Sequence, residues 1–375
     1  MAAGGMAVIY LDNAATTMQK PSTVYGAVMT AMRQCASSGR SAHEAAQAAA
    51  EILYLCREAA GNMFCCRPEQ VVLTHNATHG LNLAIHSLIH ADDPVVISGF
   101  EHNAVVRPLT AAGAEIRVAV GQGFDRNSIL DEFDRLLQKD VKAAVCTHVS
   151  NVFGWILPIE EIADLCRERN IPLIVDASQS AGLLPISLEA LQASFIAMPG
   201  HKTLYGPQGT GLLLCGQPVK PLLHGGTGSE SRSPYMPKEL PDSGEAGTHN
   251  VPGAAGLLAG MQYIACHTPE KLLRHDQILI QMAYKAMKEL ACIKLYRPEQ
   301  GTGVLSFSVD GWDSEDAAAF LGRCGYGLRA GLHCAPLAHK TIGTLENGTI
   351  RLSVSAFTTE GEILRFLDTI SSIFP

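Results

Sequence analysis

The sequence predicts an α/β fold, in which a mostly parallel sheet wrapped by helices is followed by a smaller α+β unit towards the C-terminus. Three observations carry that prediction. Short apolar runs alternate with amphipathic helical patterns from about residue 71 to residue 215, the order that builds parallel strands with crossover helices. The runs "IPLIVDAS" and "TGLLLC" are apolar without polar alternation, as strands buried on both faces must be. The chain has 375 residues, of which 47% are hydrophobic and 17% charged, ample material for more than one core.

In chain order, "VIYLDNAATT" reads as a short opening strand and turn, and a helical pattern runs over residues 22 to 35. The turn "CASSGRSAH" leads into an Ala-rich helix over residues 43 to 60. The strand in "QVVLTHNA" feeds the helix "THGLNLAIHSLI". The strand "DPVVISG", the helix "NAVVRPLTAAG" and the strand "EIRVAVG" follow. Then come the strand "VKAAVCTHVSN", the helix "PIEEIADLCRERN" and the strand "IPLIVDASQS". That helix has acids at its start and bases at its end, as the helix dipole favours. "ASFIAMPGHK" and "TGLLLCG" complete the strand series. Residues 224 to 253 are rich in Gly, Pro and Ser and read as a long irregular loop, a length that in compact domains usually serves function. A helical stretch then continues to about residue 292, and "GVLSFSVDG", a helix over 314 to 324, "LRAGLHCAP", "GTIRLSVS" and a last helix form the smaller unit. The division expected is residues 17 to 262 for the large unit, with residues 1 to 16 and 263 to 375 forming the small one.

Composition also narrows function. A net charge of −8 with no Lys/Arg-rich run disfavours a polyanion partner, so nucleic acid is not expected. The N-terminus lacks the basic and apolar regions of a secretory signal. No apolar run is long enough to span a membrane. Eleven cysteines at irregular spacing read as reduced thiols of a cytoplasmic protein, not as a disulfide framework. Cys56, Cys65 and Cys66 form a local cluster without the paired spacing of a zinc site, and no metal is expected.

Four stretches bear chemistry. In "AMPGHKTLYGPQGTG", Lys202 follows a strand directly, where sheets of this kind hold ligands. A lysine there can be desolvated and reactive, or it can be a solvated loop residue. In "IPLIVDASQS", Asp176 ends an apolar run, and a buried carboxylate needs a cation or donors; the same residue could equally cap a helix. "THNATHGLN" opens a helix at Ala77 and Thr78, offering N–H groups and a hydroxyl to an anion. "RAGLHCAP" sets Cys334 in a short turn, as a small core residue or as a nucleophile.

Taken together, THNATHGLN, EHNAV, THVSNVFG, VDASQS, PGHK, GEAGTHN, RAGLHCAP and IRLSVSAFTT resemble the class V aminotransferase family of pyridoxal phosphate enzymes. The resemblance is to the cysteine desulfurase and selenocysteine lyase branch, and it runs from "YLDNAATT" to the last helix. It implies the pyridoxal phosphate fold type I, with a seven-stranded large domain. It implies Lys202 as the Schiff-base lysine and proton carrier, Asp176 on the pyridine nitrogen and Gln179 on the phenolic oxygen. His102 would stack on the ring, completing with Lys202 and Cys334 the catalytic set. Ala77, Thr78 and His201 would hold the phosphate, and Thr248 would reach the phosphate of a neighbouring subunit in a homodimer. Asn151, Arg329 and Arg351, with Ala14 and Ala15, would bind the substrate, L-cysteine or L-selenocysteine. Cys334 would take the sulfur as a persulfide, leave alanine, and pass the sulfur to an acceptor protein, with His333 or Arg329 as its neighbouring base or charge.

The chain departs from the family at Pro199, where relatives often carry a phosphate-binding serine, so Thr203 is the expected substitute. The short span from Cys334 to Arg351 resembles the desulfurases nearest to selenocysteine lyases. The competing reading is an aminotransferase or epimerase of the same fold, which has no use for Cys334. A non-enzymatic reading would need Lys202 or Asp176 missing, and both are present.

Overall fold

The computed structural model describes residues 8 to 39 and 41 to 374. The first seven residues of the expected small unit, Arg40 of the expected turn and Pro375 lie outside the described residues. Among the described residues the strands, in chain order, are β1 (Ile9–Tyr10), β2 (Val71–Thr74), β3 (Pro94–Ser98), β4 (Glu115–Ala119), β5 (Ala143–Thr147), β6 (Leu173–Asp176) and β7 (Phe195–Pro199). They continue as β8 (Gly211–Cys215), β9 (Ile293–Tyr296), β10 (Val304–Val309), β11 (Tyr326–Gly327), β12 (Arg329–Gly331) and β13 (Thr349–Ser353). The helices are α1 (Ser22–Gln34), α2 (Glu44–Phe64), α3 (Ala77–Leu88), α4 (Asn103–Ala111), α5 (Arg126–Leu136) and α6 (Ile159–Glu168). After them come α7 (Leu188–Leu191), α8 (Val251–His267), α9 (Pro269–Met287), α10 (Ser314–Arg323), α11 (Pro336–Ile342) and α12 (Glu360–Ile373).

Seven strands form the large sheet in the order β2-β8-β7-β6-β5-β3-β4. All run parallel except β8, which is antiparallel to both β2 and β7. The exception follows from chain length: residues 200 to 210 hold no helix, and a parallel return needs a crossover of a dozen or more residues. The central strands are buried throughout, with every residue of β5, β6 and β7 inside. Their successive side chains feed opposite cores, as a pleated strand requires. Ile196 and Met198 pack with Trp155 and Phe153 on one side, while Phe195 and Ala197 pack with Leu81 and Val105 on the other. Truncating a fully buried side chain such as Ile196 to Ala would cost about 2–5 kcal/mol.

The helices start and stop for local reasons. In α6, Glu160 and Glu161 lie in the first turn and Arg167 in the last, and the buried Ile159, Ile162, Ala163 and Cys166 recur at helical spacing. In α12, Thr359 and Glu362 form a reciprocal capping box. Helix α2 continues past the expected end at residue 60 because Gly61 lets the chain pack closely. A Cβ there would meet the Cys66 carbonyl at 2.6 Å, and the helix goes on to bury Phe64.

The C-terminal strands form a four-stranded antiparallel sheet in the order β12-β13-β10-β9. Leu305, Phe307, Ile350 and Leu352 of that sheet pack with Ile363, Phe366 and Ile370 of α12 around a separate core. The N-terminal strand joins this part of the chain: β1 pairs with β11, Asp12 bridges to Ser353, and Leu11 lies in the same core. The expected boundary at residue 262 falls within α8. No helix among the described residues is long and apolar enough to cross a membrane.

Candidate active site

Four neighbouring parallel strands, β7, β6, β5 and β3, deliver their carboxyl ends to one place. Asp176 is the last residue of β6, Pro199 ends β7 and Lys202 lies three residues further on. His102 follows β3 as the N-cap of α4, and Asn151 follows β5. The first turn of α3 faces the same space. The resulting cleft is lined by Ala77, Thr78, His102, Asn151, Asp176, Gln179, His201 and Lys202, among others.

Asp176 is buried, and its Oδ1 accepts from the Ser178 N–H at 3.0 Å and from the Ser178 hydroxyl. Among the described residues no hydrogen bond reaches its Oδ2. A buried carboxylate oxygen with free capacity, at the floor of a cleft, suits a cationic N–H of a bound ring. Lys202 is half-buried, and desolvation lowers its pKa to about 8, with Asp176 opposing the shift and Arg351 and Arg329 adding to it. A lysine in that state holds a substantial neutral fraction near physiological pH, which makes it a nucleophile. His102 accepts the Ala104 N–H on Nδ1 at 2.9 Å, and burial lowers its pKa to about 4 against the pull of Asp176. Its ring is neutral and fixed. His201 is likewise held neutral, at about 4, by burial and by the charges of Lys202 and Lys20.

The first-turn amides of α3 have no acceptor within the helix, which makes them anion donors. Asn76 caps the helix through the His79 N–H at 2.8 Å, and the Ala77 and Thr78 N–H groups open into the cleft lined by Pro199 and His201. The fit to a phosphorylated heteroaromatic cofactor is therefore good at both ends: N–H donors at one, a free carboxylate oxygen at the other, and a low-pKa lysine beside them.

Cys334 lies outside that cleft, exposed at a turn after β12. His333 and Cys334 both have left-handed backbones, φ 50 and φ 57, a conformation that costs a non-glycine residue about 1–2 kcal/mol. Contacts from the large unit, from the start of α4 and from the loop after β5, hold the turn. The Asn103 N–H donates to the Cys334 carbonyl at 2.7 Å, and Asn151 Nδ2 donates to the His333 carbonyl at 2.8 Å. Backbone strain retained by such contacts is concentrated at working sites.

Arg351, buried in β13, donates through Nη1 to the Asn151 carbonyl at 2.8 Å and through Nη2 to Asp12 Oδ1 at 2.7 Å. Among the described residues its Nε, buried, finds no partner. Arg329 is exposed and directly opposite Arg351 in register. The class-V aminotransferase pattern matches residues 9–366. The chain belongs to the class-V aminotransferase family.

This family member is 30% identical over 389 residues to a cysteine desulfurase of Escherichia coli O157:H7, covering 98% of this chain and 94% of that protein. It is 29% identical over 381 residues to a probable cysteine desulfurase of Methanothermobacter thermautotrophicus, covering 97% and 94% of the two. Among solved structures, an apo cysteine desulfurase from Thermococcus onnurineus NA1 superposes with a TM-score of 0.90 at 30% identity, covering 98% of this chain and 94% of that one.

Within this class-V fold, two sequence expectations meet different surroundings. Thr203 donates its hydroxyl to the Ala181 carbonyl at 2.5 Å and lines a small separate cavity beside Asp276, so it does not complete the cleft that Pro199 leaves. His333 cannot supply positive charge to Cys334, because burial first and Arg351 second lower its pKa to about 2. Arg329 is left as the cation of that turn. Thr248 lines a different cavity, with His75, His79 and His249, apart from Lys202. Gln179 spends one N–H on the Ala14 carbonyl at 2.9 Å, which ties the N-terminal segment to the cleft, and Ala15 N–H closes that segment's turn on the Asp12 carbonyl at 3.1 Å.

Sequence reading missed Asp12, Ser178 and Glu101. Ser178, two residues after Asp176, had a signal in its spacing: a hydroxyl at i+2 from an aspartate commonly bonds it locally. Glu101 had only its place before His102. Asp12 stands in a turn 339 residues from its partner Arg351, and no local pattern carries that pairing.

Proposed function

We propose that this chain is a pyridoxal-phosphate-dependent cysteine desulfurase, which converts L-cysteine to L-alanine and holds the sulfur as a persulfide on Cys334. When bound, pyridoxal phosphate supplies an electron sink through its protonated pyridine ring. Asp176 Oδ2 would hold that ring nitrogen and keep it protonated. Ala77, Thr78 and His201 would surround the phosphate, Gln179 would donate to the phenolic oxygen, and His102 would cover one ring face.

Lys202 would bind the cofactor covalently and then move a proton from the substrate Cα. Arg351 would receive the substrate carboxylate on its free Nε edge, with Asn151, Arg329 and the Ala14–Ala15 backbone around it. The Cys334 Sγ would attack the substrate sulfur, forming the S–S bond as the C–S bond breaks. Cysteine and enzyme thiol thus give alanine and enzyme persulfide, with all atoms accounted for.

One observation carries this reading over an aminotransferase or epimerase. Cys334 is exposed on a strained turn that Asn151 holds, and Asn151 lines the cleft of Lys202 and Asp176. A reaction that ends at the cofactor gives no reason to retain that strain.

The proposal includes a homodimer in which Thr248 serves the neighbouring site, a sulfur-acceptor protein, a cytoplasmic setting, and the division of the chain near residue 262. The test pairs a spectrum with an assay. The purified protein should carry a yellow band that borohydride bleaches, and it should release alanine from L-cysteine with reductant present. Selenocysteine measured alongside decides between the desulfurase and a selenocysteine lyase, since a strong preference for selenium would assign the latter. A colourless protein, or one that transaminates without sulfur release, would overturn the proposal.

A further inference from the structure

We infer that Asp12 is a positioning residue, which fixes the Arg351 guanidinium so that one chosen edge meets the substrate carboxylate. The inference deepens the proposed function and rests on Arg351 receiving that carboxylate.

Arg351 is only 2% exposed, and its nitrogens are used unequally. Nη1 donates to the Asn151 carbonyl at 2.8 Å, Nη2 donates to Asp12 Oδ1 at 2.7 Å, and among the described residues Nε has no partner. A buried N–H of a charged group without an acceptor is costly. It is tolerated where a ligand completes it. A carboxylate can accept in parallel from Nε and from the second N–H of Nη2, so the free edge is the one beside the Nη2 that Asp12 holds. Asp12 therefore sets the rotation of the guanidinium about its last bonds.

The backbone around Asp12 is built to hold it there. The Ser353 N–H donates to the Leu11 carbonyl at 2.7 Å, Asn13 Nδ2 donates to the Ser353 carbonyl at 3.1 Å, and the Ala14 N–H donates to Ser353 Oγ at 2.9 Å. Ser353 and Arg351 are two apart on β13 and face the same way. The Tyr10 hydroxyl donates to the Asp12 carbonyl at 3.0 Å. Four contacts thus lock one acid against one arginine. Charge balance alone would not need them, because a carboxylate near the Arg351–Arg329 pair on flexible chain would offset the same charge.

The test measures sulfur release by the holoenzyme from L-cysteine and from L-cysteine amide, which lacks the carboxylate charge. Asp12→Asn should raise KM for L-cysteine about tenfold with kcat within about threefold, and leave the amide constants unchanged, so selectivity for the carboxylate falls about tenfold. Asp12→Glu keeps the charge but displaces it by one methylene, and should lose selectivity about threefold; it serves alone if Asp12→Asn does not fold. Wild-type selectivity in Asp12→Glu would reduce Asp12 to charge balance and overturn the inference. So would a lower KM in Asp12→Asn, since Asp12 would then be a competitor for Arg351. Arg351→Lys separates the two levels: if it leaves selectivity intact, the carboxylate role of Arg351 fails. If it erodes selectivity while the Asp12 variants do not, only the positioning role of Asp12 fails.

Discussion

Asn151 holds two parts of the site at once: its side chain donates to the His333 carbonyl and its own carbonyl accepts from Arg351. The thiol turn and the buried arginine are therefore registered to each other through one residue of the large unit. Removing the amide frees the turn to relax from its left-handed backbone.

Asn151→Ala is accordingly expected to keep its yellow cofactor but to lower sulfur transfer about ten- to a hundredfold, the range expected when a reacting group is displaced by about 1 Å. Absorbance checks the first half and persulfide formation in a single turnover checks the second. Unchanged single-turnover rates would show that the turn holds its shape without Asn151.

Cys334→Ser is expected to fold normally, with a change in stability of less than about 1 kcal/mol, because the residue is exposed. Its hydroxyl is a poor nucleophile at neutral pH and cannot carry sulfur as a persulfide. Alanine release from L-cysteine should collapse, while the spectral response to added L-cysteine persists. Release at the parent rate would move the function to the aminotransferases or epimerases of the family.

The Lys202 pKa of about 8 sets the pH dependence of cofactor uptake. The neutral amine is the attacking form, so the uptake rate of cofactor-free protein should rise with pH and level off above about 8. Below that value it should fall about tenfold per pH unit. Growth of the yellow band after mixing with pyridoxal phosphate measures it. A rate still climbing steeply above pH 9 would mean that burial does not lower this lysine.

Glu101 gives a stability prediction of determined sign. Burial raises its pKa from 4.5 to about 8, and its Oε1 accepts from the Ser98 hydroxyl at 2.5 Å and the Thr147 N–H at 2.7 Å. Between those pH values the folded state binds more protons than the unfolded one, so stability falls as pH rises from about 4.5 to 8 and levels off above. Glu101→Gln should flatten that part of the profile. Asp276, raised by burial to about 8, leaves some slope in the variant. Identical profiles of melting temperature against pH for parent and variant would contradict it.

The large sheet could be read from sequence because β5, β6 and β7 are buried on both faces, which writes unbroken apolar runs into the chain. The reversal of β8 was not readable in the same way. It depends on the absence of a helix between residues 200 and 210, not on the strand's own composition. At the site, Asp176, Lys202 and Cys334 each stood out because a polar or reactive residue interrupted a strand end or turn. Their environments did not. His333 looks like a partner for Cys334 until its burial is known, and Thr203 looks like a phosphate donor until its hydroxyl is seen turned to Ala181. Asp12 was silent because its partner lies at the far end of the chain.

That last fact bears on biosynthesis. The first described strand, β1, finds its partner only in β11, and Asp12 finds Arg351 only in β13. A nascent chain can fold its large sheet early, since domains form as they emerge. Its buried Arg351 and its thiol turn are delivered in the closing stretch of translation, and Asp12, made at the start, waits until then for its partner. Long-range closure of this kind is slow compared with local folding. A ribosome stalled before residue 329 would thus release a chain with the Lys202 cleft largely built, yet without the Cys334 turn that Asn151 holds.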